Sequence, residues 1–224
     1  MTEDPDDPGA WPPPWFDPER YALVTPVNVQ ALAHPIRVSL LRLLREDGPG
    51  SATTLAERIG QSSGVTSYHL RALADAGFIE EDVERGTRRE RWWRPVHEGI
   101  TFSFRVPGHG GSDAQVEAAE RYMRAVAQVA YERVLGYIDT LSARHDELHL
   151  LPWQLGETTL SLSRAEAREL ALRIHALVAP YRSDQRGRAR GPGGPDDDGE
   201  GRERAVLQFQ LVPDEPDATA PRRA

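Results

Sequence analysis

Between residues 35 and 77 the chain carries three short helical patterns in a row, each closed by a glycine. The first, IRVSLLRLLRE, sets Ile36, Leu40, Leu43 and Leu44 at helical spacing and stops at Asp47–Gly48–Pro49–Gly50. Pro35 takes its first position, where the missing N–H costs nothing. The segment VNVQALA before it reads as a short helix ending near His34. In the second pattern, ATTLAERIG, Ser51 is the N-cap, Leu55 and Ile59 share the inner face, and Gly60 ends the turn. The third runs from about Ser62 to Ala76 and closes at Gly77. Two strand-like segments, FIEEDV and RRERWWR, follow, joined by the turn Glu84–Arg85–Gly86–Thr87.

The rest of the chain sorts around this centre. Residues 1–24 are rich in Pro and Asp and predict a disordered acidic arm, with Trp11, Trp15 and Phe16 leaving docking open. Residues 98–146 read as a connector and a long helix whose stripe starts with Val116, Ala119, Met123, Val126 and Ala130. After a shift it continues through Val134, Ile138 and Leu141. Such a stripe calls for a domain body or a second helix. Residues 147–212 read as a small α+β unit. In it GETTLSLS alternates like a strand, Ser163 and Glu166 form a capping box on RAEARELALRIHALVAPY, and AVLQFQLV returns as a strand. Residues 183–203 are a low-complexity linker within that unit, and 213–224 a loose tail. The fold class expected is mainly α with small β.

A helix pair joined by a turn, then a hairpin with arginines at its tip, is the winged helix–turn–helix plan. At ALAHPIRVSLLRLL, LAERIG and SYHLRALADAGFI the chain resembles the ArsR-type winged-helix transcriptional regulators, over about residues 25–97. The resemblance implies a homodimeric repressor that binds double-stranded DNA, its operator affinity set by an unknown effector. The long helix would then be the dimerisation helix, with Val116, Met123, Val126, Val134, Ile138 and Leu141 as its seam.

Helix geometry sorts the third pattern. At 100° per residue Thr66, Leu70, Leu73 and Gly77 converge on the core side, while Gly64, Tyr68, Arg71 and Asp75 lie opposite. Tyr68 and Arg71 are the leading candidates for base or phosphate contact, supported by Ser63, Val65 and Ser67. His69 sits at the core edge, open to contact or to packing. From the hairpin, Arg85, Arg88, Arg89 and Arg91 are placed to neutralise phosphate. The bland reading of those charges is an edge strand guarded against pairing. Trp92 and Trp93 face opposite ways, so at least one packs beneath the hairpin.

Charge distribution agrees with this placement. The net charge is −8, yet residues 27–95 carry ten Arg against nine acids, and residues 1–26 one Arg against six. With no Cys, disulfides, thiol nucleophiles and thiolate metal sites are excluded. His145 and His149, four apart, are weak metal candidates that could equally cap a helix end. No phosphate loop, Ser–His–Asp pattern or HExxH is present, so neither enzyme activity nor a cofactor is expected. With no apolar run of roughly 18 residues and no signal-like start, a cytoplasmic protein without membrane contact is expected. The different-class alternative is a winged-helix protein–protein interaction module that does not bind DNA. Arginines on both the third helix and the hairpin favour DNA, since an interaction module needs neither.

Overall fold

In a computed structural model of the chain, residues 16–25, 28–87, 90–102, 112–143, 156–182 and 205–212 are described. They divide between two compact units, one within Trp11–Gln154 and one within Leu155–Ala224.

The first unit is built on the three predicted helices, α1 (Pro35–Asp47), α2 (Ala52–Ile59) and α3 (Ser63–Asp75). A 3-10 turn at Val29–Leu32 precedes α1, in place of the short helix read from VNVQALA. Local chemistry sets each boundary. Pro35 opens α1, capped by the His34 side chain, which accepts the Ile36 N–H. Ser51 and Thr54 close a capping box on α2. Gly60 then ends it in the left-handed conformation (φ 63°), which glycine adopts without a Cβ clash. Ser62 caps α3 by accepting the Val65 N–H at 3.3 Å. Leu32, Leu40, Leu41, Leu44, Leu70 and Leu73 meet in the core, all below 2% exposure. Phe78, Ile79 and Trp93 complete it from the hairpin side. Of the two tryptophans, Trp93 is the one that packs inward and Trp92 is half-buried.

The hairpin strands are β3 (Ile79–Glu81) and β4 (Trp92–Pro95), antiparallel, with Glu81 opposite Trp93. They join β2 (Gly50–Ser51) in a three-stranded sheet of order β2–β4–β3. The second strand is shorter than expected: Arg91 precedes it, and Arg88 and Arg89 lie outside the described residues. The connection is longer than the expected turn: the Gly86 N–H donates to the Asp82 carbonyl at 2.9 Å, and Thr87 and Glu90 then exchange backbone hydrogen bonds at 2.9 and 3.3 Å.

Two expectations about the flanks need correction. The composition predicts a disordered arm over residues 1–24; residues 1–15 lie outside the described residues, but Tyr21–Val24 form β1, paired in parallel with β5 (Gly99–Phe102). The Pro- and Asp-rich character stops at Pro18, and the alternation YALV buries Ala22 and Val24 in the core. Gly99 is opposite Tyr21, where a Cβ would come 2.5 Å from the tyrosine ring. Arg20 pairs with Glu98 at 2.7 Å to fix the same register. Arg45 of α1 anchors β5 from the other side, donating to the His97 and Gly99 carbonyls at 3.1 and 3.2 Å. Burial lowers its pKa to about 10.

Second, of the two partners the stripe left open, the long helix takes a domain body, but through a face largely other than the one the stripe marked. Named α4, it runs Asp113–Ile138 and packs on α1 and the 3-10 turn. It is shorter than expected, and Leu141 lies beyond its end in a turn after Asp139. Ala118, Ala119, Tyr122, Ala125 and Val129 form its buried face. Ala119 therefore belongs to the core and leaves the stripe assigned to it with Val116 and Met123. Ion pairing reinforces the docking: Arg133 donates twice to Glu46 of α1, at 2.6 and 3.2 Å.

In the second unit α5 covers Arg164–Arg182 and begins at the expected capping box. The Ser163 N–H donates to Glu166 at 2.7 Å, and the Glu166 N–H to the Ser163 hydroxyl at 3.2 Å. These bonds hold the Glu166 carboxyl below its usual pKa. The strands expected at GETTLSLS and AVLQFQLV have no ladder among the described residues. Alternation encodes which face a strand would bury but does not name the strand it would pair with. Phe209 instead meets His175 of α5 edge-on, ring centroids 5.6 Å apart.

Candidate nucleic-acid interface

The α2–turn–α3 pair presents one face of α3 outward, and its composition follows the helical wheel. Thr66, Leu70 and Leu73 are fully buried, while Tyr68 is 64% exposed and Arg71 exposed beside it. Toward the N-terminus Ser63, Gly64 and Val65 are exposed, and Ser67 is half-buried on the flank. The outward face thus combines hydroxyls, an apolar tip, a phenol and a guanidinium along one helix. These are the groups that can read donors, acceptors and a methyl in a major groove.

His69, one of the contact candidates, does not belong to this face. It is 7% exposed, its ring 4.5 Å from that of His34 and 5.2 Å from that of Tyr68. At the edge of the wheel, the aromatic neighbour at the start of α1 decides for packing.

The hairpin presents paired charge. Arg85 lies 3.7 Å from Asp82, Arg91 3.8 Å from Glu81, and Arg94 2.8 Å from Glu80. All three guanidinium groups remain about half exposed or more, so they are held in place yet open to solvent. Val83, at the turn, is 77% exposed, a residue that sequence reasoning passed over because one Val in an acidic turn carries no periodic signal.

A second surface lies on α4. Away from the buried face, Val116, Met123 and Ile138 share one side of the helix at about 40% exposure, with Val134 half-buried among them; Val126 (38%) lies at the edge of the buried face and Leu135 (40%) half a turn from Val126. Leu135 was absent from the predicted seam, and Leu141 extends it only past the helix end.

His145 and His149 lie outside the described residues. Among the described residues no group of three or more His, Asp or Glu is placed to hold a metal ion. Nor is any helix there long and apolar enough to cross a membrane.

Residues 32–82 match the family model described as a helix-turn-helix domain, which spans α1 to the end of β3. An uncharacterised HTH-type transcriptional regulator of Methanocaldococcus jannaschii is 35% identical over 78 residues, covering 34% of this chain and 77% of that protein. The HTH-type transcriptional regulator NmtR of Mycobacterium tuberculosis is 42% identical over 55 residues, covering 25% of this chain and 45% of its own length. A solved structure of AbfR in a disulfide form matches over 51% of this chain and 71% of that one. Its 13% identity and TM-score of 0.25 are too low to speak to the fold.

Proposed function

Because the chain belongs to the ArsR-type winged helix–turn–helix transcriptional regulators, we propose that it works as a dimeric repressor whose operator affinity an effector controls. DNA binding and transcriptional regulation come with the family. The dimer, the sign of regulation and the effector are the added content. The observation that carries the reading is the division of α3, with Thr66, Leu70 and Leu73 in the core and Tyr68 and Arg71 in solvent.

On this reading α3 enters the major groove with Tyr68 and Arg71 toward the bases, and Ser63, Val65 and Ser67 near the helix start. Arg85 and Arg91, with Arg88 and Arg89, meet phosphate from the wing. One winged helix covers too little DNA for a useful affinity, and two copies related by a twofold axis repair this. The aliphatic side chains that α4 leaves about 40% exposed, Val116, Met123 and Ile138 along one side, support that pairing. Repression follows if a dimer seated on its operator shuts out polymerase. The C-terminal unit, for which no role is assigned, either receives the effector or braces the dimer.

Sequencing of DNA fragments retained by the purified protein from its own genome tests the reading. A shared motif with two half-sites about one helical turn apart is expected. Retention of unrelated fragments, or of none, would favour a protein–protein interaction module.

A further inference from the structure

Behind the exposed face of α3, His34 and His69 meet with ring centroids 4.5 Å apart and planes inclined by 43°. His34 is the N-cap of α1, where its Nδ1 accepts the Ile36 N–H at 3.1 Å. His69 is buried in α3, and its Nδ1 has no hydrogen-bond partner among the described residues. One ring belongs to the corner that starts α1 and the other to the recognition helix. Their contact is a joint between the two.

We propose that His34 and His69 are positioning residues: as an uncharged ring pair they seat α3 on α1, so that operator binding requires both rings neutral. This rests on α3 being the recognition helix.

The geometry opposes a proton on either ring. An imidazolium has two N–H donors and no acceptor. On His34, a proton at Nδ1 would face the Ile36 N–H it now accepts, and would set a cation at the positive end of α1. On His69, it would sit at a buried nitrogen with no acceptor to receive it. The neighbouring charges act in the same direction. Arg37 of α1, held on the Ala31 carbonyl at 2.8 Å, repels a proton on either ring. From α3 the other titratable neighbour is Tyr68, edge-on to His69, while the 3-10 turn Val29–Leu32 contributes none. No carboxylate acts on either ring. Burial, then Arg37, lowers the His34 pKa; burial, then His34 and Arg37, lowers that of His69.

A histidine with a depressed pKa in the folded state binds fewer protons there than in the unfolded chain. Its contribution is therefore whole above the unfolded value, about 6.5, and is lost as pH falls through the window below it. An exposed histidine beside phosphate would do the reverse, gaining a proton and tightening binding in acid. The two roles differ in sign.

The experiment is fluorescence anisotropy of the full-length protein on a genomic fragment it retains, from pH 7.5 to 5.0 at constant ionic strength. Wild type is compared with His34→Asn, His69→Phe and the double variant. Asn caps a helix without titrating, and Phe keeps a ring with no proton site. Wild-type affinity is expected to fall by about tenfold per pH unit on the acid side of the first ring's titration. At pH 7.5 His69→Phe, which keeps a ring against His34, is expected to bind within a few-fold of wild type and His34→Asn more weakly; each single variant keeps the acid dependence of its remaining ring, and the double variant loses it. A wild-type affinity that holds or rises in acid, or a double variant that keeps the wild-type profile, would overturn the proposal. NMR titration of the imidazoles gives a second readout, and a value at or above 6.5 for either ring would also overturn it. If the recognition-helix reading is what fails, no fragment binds at any pH and the operator clause falls with it. The ring pair would then still show as a wild-type thermal midpoint that drops in acid while the double variant's does not.

Discussion

Helices α3 and α4 are both amphipathic, and both bury one face in the same core, yet they leave opposite kinds of surface in solvent. On α3 the free face carries Ser63, Tyr68 and Arg71; on α4 the exposed side chains include the aliphatic Val116, Met123 and Ile138 along one side. A polar, hydrogen-bonding face is complementary to a groove of base edges and phosphates. An apolar face gains by leaving water and specifies nothing about hydrogen bonding. On the proposed reading, the first surface reads DNA and the second joins two copies. Each can be altered with the other left intact.

The largest effect is expected from Met123→Glu. Met123 lies midway along the α4 stripe, so a carboxylate there would be buried without a partner in a dimer seam. Light scattering should give a monomer at micromolar protein where wild type gives a dimer, with circular dichroism unchanged because Met123 is 42% exposed in the single chain. Affinity for a two-half-site fragment should drop by about a hundredfold or more as bivalent contact is lost. A monomeric wild type, or a dimeric mutant with normal binding, removes α4 from the assembly.

Next come Arg71→Ala and Tyr68→Ala, on the reading face. A lost base contact costs about 1–3 kcal/mol and relaxes preference at one base position. Site selection with wild type and both variants checks this. Identical preferred motifs would show that these side chains position the protein without reading sequence.

The two helices also differ in how far they could be read from sequence. For α3 a 100° wheel sufficed, because Thr66, Leu70 and Leu73 are the residues that its neighbours bury. For α4 the wheel picked out the bulky aliphatics, and those are the exposed ones. The buried face is mostly alanine, with Tyr122, and small side chains that allow a close approach to α1 score weakly in any hydrophobicity pattern. Long-range partners were hidden for the same kind of reason. The pairing of β1 with β5 joins residues far apart in the chain, and nothing in YALV names GITF as its neighbour. His34 as a cap, and its contact with His69, needed the corner to be built first. Among the proposed DNA contacts, the exposed face of α3 was legible and the wing charges were counted, but their acidic partners were not foreseen.

Arg133→Ala probes the inner side of α4. Its double hydrogen bond to Glu46 is about three-quarters buried at both ends, and Arg42 shares the same carboxylate at 2.8 Å. Removing Arg133 should lower unfolding stability by about 1 kcal/mol in urea titration, Arg42 limiting the loss. The proposed dimer should survive at micromolar protein, since Met123 and Ile138 of its seam lie on another side of the helix than Arg133. Dissociation with unchanged stability would mean that the two faces of α4 have been assigned the wrong way round.

The smallest effect, and the most discriminating for the wing, is expected from Glu81→Gln. Arg91 is 66% exposed and 3.8 Å from Glu81, and such a pair is worth little in water. When phosphate approaches, however, the carboxylate competes for the guanidinium and repels the DNA. Arg91→Ala removes the cation and leaves Glu81 alone, so affinity should fall for every sequence, and the slope of log K against log salt should flatten by about 0.9. Glu81→Gln keeps the cation and removes the competitor, so affinity should rise, by roughly twofold at physiological salt where screening is already strong. Opposite signs from two neighbouring substitutions are what a phosphate contact requires. If the charges only guard the sheet edge, both substitutions leave the salt slope where it was, and the wing drops out of the interface.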